Sequence, residues 1–222
     1  MLQRSSMTDE QLTILIEEEF KEKKFGVTEQ YLEIHQPIYL GNKLKIERFD
    51  RDRSDDTIIA YLPVLNERFY FAVYLNGKSG EIINIGTEPY HRVYFLTTSE
   101  KLSATALKAM THLSVSESWD KGDLKPNGKQ RHQFSALKIM PNTEPDEFED
   151  KLNSLLSYLE QDKAGITELV TKANGYIQVA MDIHNGNGLI GGPHLDKNSI
   201  ARMSNLGLSI DFDLCVGGES FK

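Results

Sequence analysis

The chain has 222 residues, 39% of them hydrophobic and 26% charged, and a formal net charge of −8. That composition fits an ordinary globular protein of one large domain or two small ones, and its acidic balance argues against binding to nucleic acid or to an anionic membrane surface, both of which draw on Lys and Arg. The single cysteine, Cys215, excludes an intrachain disulfide framework and a Cys-based zinc cluster.

Residues 8–24 read as a first helix. Thr8 is placed to cap it, Leu12, Leu15, Ile16 and Phe20 share one face, and Gly26 reads as the stop. Tyr31, Ile34, Ile38, Leu40, Leu44 and Ile46 suggest short extended pieces, and residues 50–56 a charged loop. Strands are expected at 57–62 and at 69–75, where apolar residues alternate, then a turn at Asn76-Gly77-Lys78-Ser79-Gly80 and a return strand at 81–85. One helix and an antiparallel meander make a self-contained layer, so the chain divides at Thr87-Glu88-Pro89 into domains 1–88 and 89–222.

In the second part, 93–98 reads as a strand, and Ser103 caps a short helix over 104–112. A polar loop at 114–129 leads to a strand at 131–140. Thr143-Glu144-Pro145-Asp146 resembles a capping box before a helix striped with Phe148, Leu152, Leu155, Leu156 and Leu159. Gly165 opens another helix. The strand at 176–184 turns Ile177, Val179, Met181 and Ile183 one way and Gln178, Ala180, Asp182 and His184 the other. A Gly-rich loop at 185–193 follows, with Leu189-Ile190 as a short extra strand. Asp196 or Asn198 caps a last helix. The strand at 208–216 closes the chain, with Leu208, Ile210, Phe212, Leu214 and Val216 alternating with Ser209, Asp211, Asp213 and Cys215. The expected class is α+β: an N-terminal helix plus antiparallel meander, then a ferredoxin-like sandwich whose sheet leaves one face open.

Three stretches carry candidate chemistry. In Trp119-Asp120-Lys121-Gly122-Asp123, Trp119 is an aromatic anchor with Lys121 and Asp123 as charged contacts; the same string also reads as a tight turn with Trp119 packed on the core. If the last two strands are neighbours, Asp182, His184, Asp211 and Asp213 share one side as metal ligands or acid–base partners. Residues two apart on a strand are about 7 Å apart, so a shared ion needs a second strand, and the plainer reading is a solvated face. The Gly-rich loop lacks a helix opening directly after its last Gly, so it is no dinucleotide fingerprint. The six histidines show no paired helical spacing.

The string Tyr94-Phe95-x-Thr97-Thr98-Ser99-x-x-Leu102-Ser103, then Lys121-Gly122-Asp123, Phe134-Ser135, Leu155-Leu156 and Leu206-Gly207-Leu208-Ser209-Ile210-Asp211-Phe212-Asp213 resembles the bacterial domain-of-unknown-function family 4279. The likeness runs from about residue 90 to 217, with Phe134 where the family often has Trp. It implies a small cytoplasmic bacterial protein, and some members resemble immunity proteins that block a partner toxin. No catalytic residues come with it.

The leading expectation is a non-enzymatic protein-binding module without a cofactor, its acidic balance suited to a basic protein partner. The alternatives are a metal-dependent hydrolase on the Asp182, His184, Asp211 and Asp213 face, or a small-ligand sensor using a cleft between the halves. With no signal-type apolar core in residues 1–9, the cytoplasm is the expected compartment.

Overall fold

A computed structural model describes residues 7–186 and 192–219. The chain is α+β. Its described residues fall into two compact units. One holds residues 7–90, 181–186 and 214–219; the other holds residues 91–180 and 192–213.

In the first unit, helix α1 (Asp9–Glu22) begins with a capping box. The Thr8 side chain accepts from Gln11 N, and the Gln11 side chain accepts from Thr8 N. The stop is Lys23, which takes the left-handed conformation at φ 53°. Gly26, expected to be that stop, instead opens helix α2 (Gly26–Ile34), where short extended pieces were expected. Tertiary contacts outweigh the β-branched and aromatic content here. Thr28 Oγ1 donates to Glu19 Oε1 at 2.6 Å in the interior, and the Tyr31 ring lies 5.6 Å from that of Phe71.

Strands β1 (Tyr39–Leu40) and β2 (Lys43–Leu44) pair with each other. Strands β3 (Arg48–Asp50), β4 (Thr57–Pro63) and β5 (Phe69–Asn76) form an antiparallel meander with the first half of β6 (Ile82–Ser99). Leu12, Ile16, Phe20 and Tyr31 of the helices pack with Ile58, Ala60, Leu62, Phe71 and Val73. The other side of β4 and β5 has its own cluster of Ile59, Tyr61, Tyr70 and Ala72. Both faces of these strands are covered, which is why β4 reads as a continuous apolar run.

Strand β6 runs without a break through Thr87, Glu88 and Pro89, and Pro89 pairs opposite Phe69. The change of unit therefore falls inside a strand, between Tyr90 and His91. The elements that follow are helix α3 (Ala104–Lys108), strands β7 (Glu117–Trp119) and β8 (Ser135–Ile139), helices α4 (Phe148–Leu159) and α5 (Lys163–Ala173), strand β9 (Gly175–His184), helix α6 (Lys197–Asn205) and strand β10 (Ile210–Gly217). They belong to the second unit except for the ends of β9 and β10, from Met181 and Leu214 on, which belong to the first. The hydrogen-bonded order is β7-β8-β6-β9-β10. Strands β9 and β10 are parallel, since Ile177 N donates to Ser209 O and Asn185 N donates to Gly217 O, the same step along each strand.

Two helix starts differ from expectation, those of α4 and α5, whereas α6 is capped by Asp196, one of the two caps expected. No side chain caps α4; Asp146 instead accepts from Asn142 Nδ2 at 2.8 Å and from Glu147 N at 3.1 Å. Helix α5 starts before Gly165 because Asp162 caps it, accepting from Gly165 N at 3.0 Å. Asp196 caps α6, accepting from Ser199 N at 2.6 Å, and Arg202 of α6 grips both carboxylate oxygens of Glu160 at 2.9 Å.

The open sheet face is the larger correction. Gln178, Ala180 and His184 are buried like their neighbours on the opposite side of β9. On β10 the reverse holds, with Leu214 and Val216 more than half exposed. The extra strand expected at Leu189-Ile190 lies outside the described residues. Among the described residues no helix is long and apolar enough to cross a membrane.

Candidate functional site

The strand pair β7–β8 continues beyond Trp119 as a hairpin that ends in a tight turn. Gly122 N donates to His132 O, His132 N to Asp123 O, and Lys125 N to Gln130 O, while Leu124 and Arg131 face each other across a bridge. The tip is closed by Asn127, whose Oδ1 accepts from Lys129 N and Gln130 N.

Asp120 anchors the base. Its Oδ1 accepts from Ala104 N at 2.7 Å, at the start of α3, and from Ser135 Oγ at 3.3 Å. Lys121 N in turn donates to that Ser135 hydroxyl at 3.0 Å. Asp123 Oδ2 accepts from Asp120 N at 2.8 Å, and Gly122 supplies the positive φ of 94° that the turn requires. The three residues singled out in the sequence therefore divide. Asp123 spends its side chain on the turn. Lys121 is exposed. Trp119 is half-buried and stacked on His132, their ring centroids 4.6 Å apart and inclined by 28°.

The hairpin that carries the stack is apolar and cationic. Leu124 is 57% and Phe134 41% exposed. From Lys121 to Phe134 the chain carries Lys121, Lys125, Lys129 and Arg131 against the single acid Asp123. Arg131 is held by its own bond to Gly122 O at 2.6 Å, which fixes the guanidinium near the turn. Sequence reasoning missed His132, Arg131 and Leu124 as members of this surface. A signal was present in the four cations within a strongly acidic chain, but it is legible only if charge is counted segment by segment.

The four residues weighed as metal ligands lie in different settings. His184 is buried, its Nε2 2.8 Å from Nε2 of His35 and 3.0 Å from the Glu219 carbonyl oxygen. Asp182 is half-buried and lines a cleft of about 260 Å³ with Arg68, Phe69 and Cys215. Asp211 and Asp213 are exposed on β10, and Asp213 Oδ2 accepts from Gln178 Nε2 at 3.3 Å. Among the described residues no group of three or more His, Cys, Asp or Glu side chains is placed to hold a metal ion.

A family model described as Domain of unknown function (DUF4279) matches residues 88–217. No curated protein and no solved structure matches the chain.

Proposed function

The chain belongs to the DUF4279 family, and from that premise we propose that it is a non-enzymatic binding module that takes an acidic segment of a partner protein on the hairpin of residues 121–134, next to Trp119. The observation that supports this reading is the surface around the Trp119–His132 stack. Exposed Leu124 and Phe134 provide apolar area on the same hairpin, and residues 121–134 carry four cations against one acid in a chain whose net charge is −8. Buried aromatic anchors within a polar rim are the composition that carries most binding energy at protein interfaces.

The net charge of the whole chain fits a basic partner, but the hairpin's own charges fit an acidic one. A contact is governed by charges within a Debye length, about 8–10 Å at physiological salt, so the local cations decide. The same net charge disfavours a long nucleic-acid ligand, whose repulsion extends over many phosphates. A bacterial cytoplasmic setting and an immunity-type role, in which binding alone blocks a toxin, belong to this proposal.

Trp119 is the sole tryptophan and reports on its own site. The test is an array of acidic peptides, with positives titrated against the full chain by Trp fluorescence. Binding should perturb Trp119 emission, weaken with salt, and drop about tenfold or more in Lys121→Glu/Arg131→Glu. Binding indifferent to that double reversal, or a single-stranded oligonucleotide outcompeting every peptide, overturns the proposal.

A further inference from the structure

His35, just after α2, and His184, at the end of β9, are 149 residues apart in sequence and meet in the interior of the first unit. They are 5% and 1% exposed. Three contacts assign their protons. Gly186 N–H points at His184 Nδ1 from 3.1 Å, and a backbone N–H can only donate. Nδ1 is therefore the bare nitrogen, and neutral His184 carries its proton on Nε2. That agrees with the Glu219 carbonyl, which can only accept, 3.0 Å from Nε2. His35 Nε2, 2.8 Å away, must then also accept, so the His35 proton sits on Nδ1.

Neither of these nitrogens can take a second proton without losing a bond. On His184 it would oppose the Gly186 N–H; on His35 Nε2 it would oppose the proton of His184. The surroundings do little to solvate an imidazolium. The Phe69 ring lies 5.1 Å from His35 and 4.7 Å from His184, and Tyr31 lies 5.7 Å from His184. Gly218, at φ 83°, sits so close that a Cβ there would come within 3.2 Å of both imidazoles.

We propose that the His35–His184 pair is an acid-released latch that holds the end of β9 and residues 217–219 against α2 while both rings are neutral. The titratable groups on the packed elements are Tyr31 of α2, Asp182 earlier on β9, and Glu219, which engages through its carbonyl; β5 presents the rings of Phe69 and Phe71. Burial pushes the His184 pKa down, the Glu219 carbonyl opposes this, and the charge of His35 adds to the lowering. A histidine with a depressed folded value contributes fully above its unfolded value, near 6.5, and the contribution is lost as pH falls from there through the folded value. A metal on the Nε2 atoms is disfavoured by the same proton assignment, since it would force a proton onto His184 Nδ1 against the Gly186 N–H.

The experiment uses the full chain labelled with ¹⁵N. Long-range imidazole spectra at pH 7.5 should show His184 protonated on Nε2 and His35 on Nδ1. Protection of the Asn185 and Gly186 amides, corrected for intrinsic exchange, should fall by up to about tenfold per pH unit below 6.5 for each proton taken up. His35→Gln keeps an acceptor at the Nε2 position and should retain protection at pH 7.5, whereas His35→Phe should lose it at that pH. Protection unchanged between pH 7.5 and 5.5, or His184 protonated on Nδ1 at pH 7.5, overturns the latch; the tautomer spectra decide even if a variant fails to fold.

Discussion

Replacing Asp120 with Ala removes the acceptor for Ala104 N and for the Ser135 hydroxyl together. The loss of one helix-start bond and one side-chain bond costs about 1–3 kcal/mol, and Asp120→Asn should recover much of it; urea unfolding of the two variants checks this. Asp162 has a similar role between α3 and α5. Its carboxylate accepts from Thr111 Oγ1 at 2.7 Å, His112 N at 3.0 Å and Gly165 N at 3.0 Å. Burial works to raise its pKa, but these bonds hold it below the usual carboxylate value. The stability this contributes is present above the unfolded value near 4 and is lost as pH falls through the folded one. Asp162→Ala should destabilise by about 2–4 kcal/mol at pH 7, and the difference from wild type should shrink in strong acid. The Asp120 role was not legible in the sequence, and of Asp162 only the cap on the helix directly after it was, not its reach to Thr111 and His112. A short polar side chain announces a cap only when the helix it serves follows at once, and Asp120 serves a helix that precedes it by 16 residues.

At the scale of elements, the terminal strand behaves unlike its neighbour. Strand β10 lies at the end of the hydrogen-bonded order, with Leu214 and Val216 exposed on one side and Asp211 and Asp213 exposed along it. Charge on an edge strand deters pairing with another chain. Asp211→Val/Asp213→Val should therefore promote association, read as a concentration-dependent rise in light scattering, while Leu214→Lys should suppress it. The alternation in both last strands was visible in the sequence, but alternation names two faces without saying which is covered. Gln178 and His184 are buried because neighbouring chain lies over them; Leu214 and Val216 are exposed because nothing among the described residues does. Gly175 makes a related point. A Cβ there would meet the Phe95 ring at 2.7 Å and Val170 Cα at 3.2 Å, so Gly175→Ala should lower the melting temperature through overpacking of about 1–3 kcal/mol.

For the molecule as a whole, acid should be more disruptive than the carboxylates alone imply. Burial pushes the pKa of His91 down as well as that of His184. His91 Nδ1 must donate to the Asp146 carbonyl, 3.0 Å away, and its Nε2 is buried with no hydrogen-bond partner among the described residues. Both histidines bind protons more readily when unfolded, so stability declines as pH falls below about 6.5, by up to about 1.4 kcal/mol per pH unit for each proton taken up. Urea midpoints at pH 7.5 and 5.5 should differ in that direction. His91→Asn, which can imitate the Nδ1 donor without titrating, should flatten the dependence.

The α+β class, most helices and strands, the family and the position of the Trp119 turn follow from local pattern and motif, because periodicity and turn chemistry act between residues close in the chain. Tertiary structure decided the rest. It turned the residues after Gly26 into a helix by giving Thr28 and Tyr31 partners on Glu19 and Phe71. It carried β6 unbroken through the proposed division, and it took His184 from a supposed metal face to His35. Contacts spanning 149 residues leave no periodic trace, since the chain between them can vary freely so long as both ends arrive at the same place.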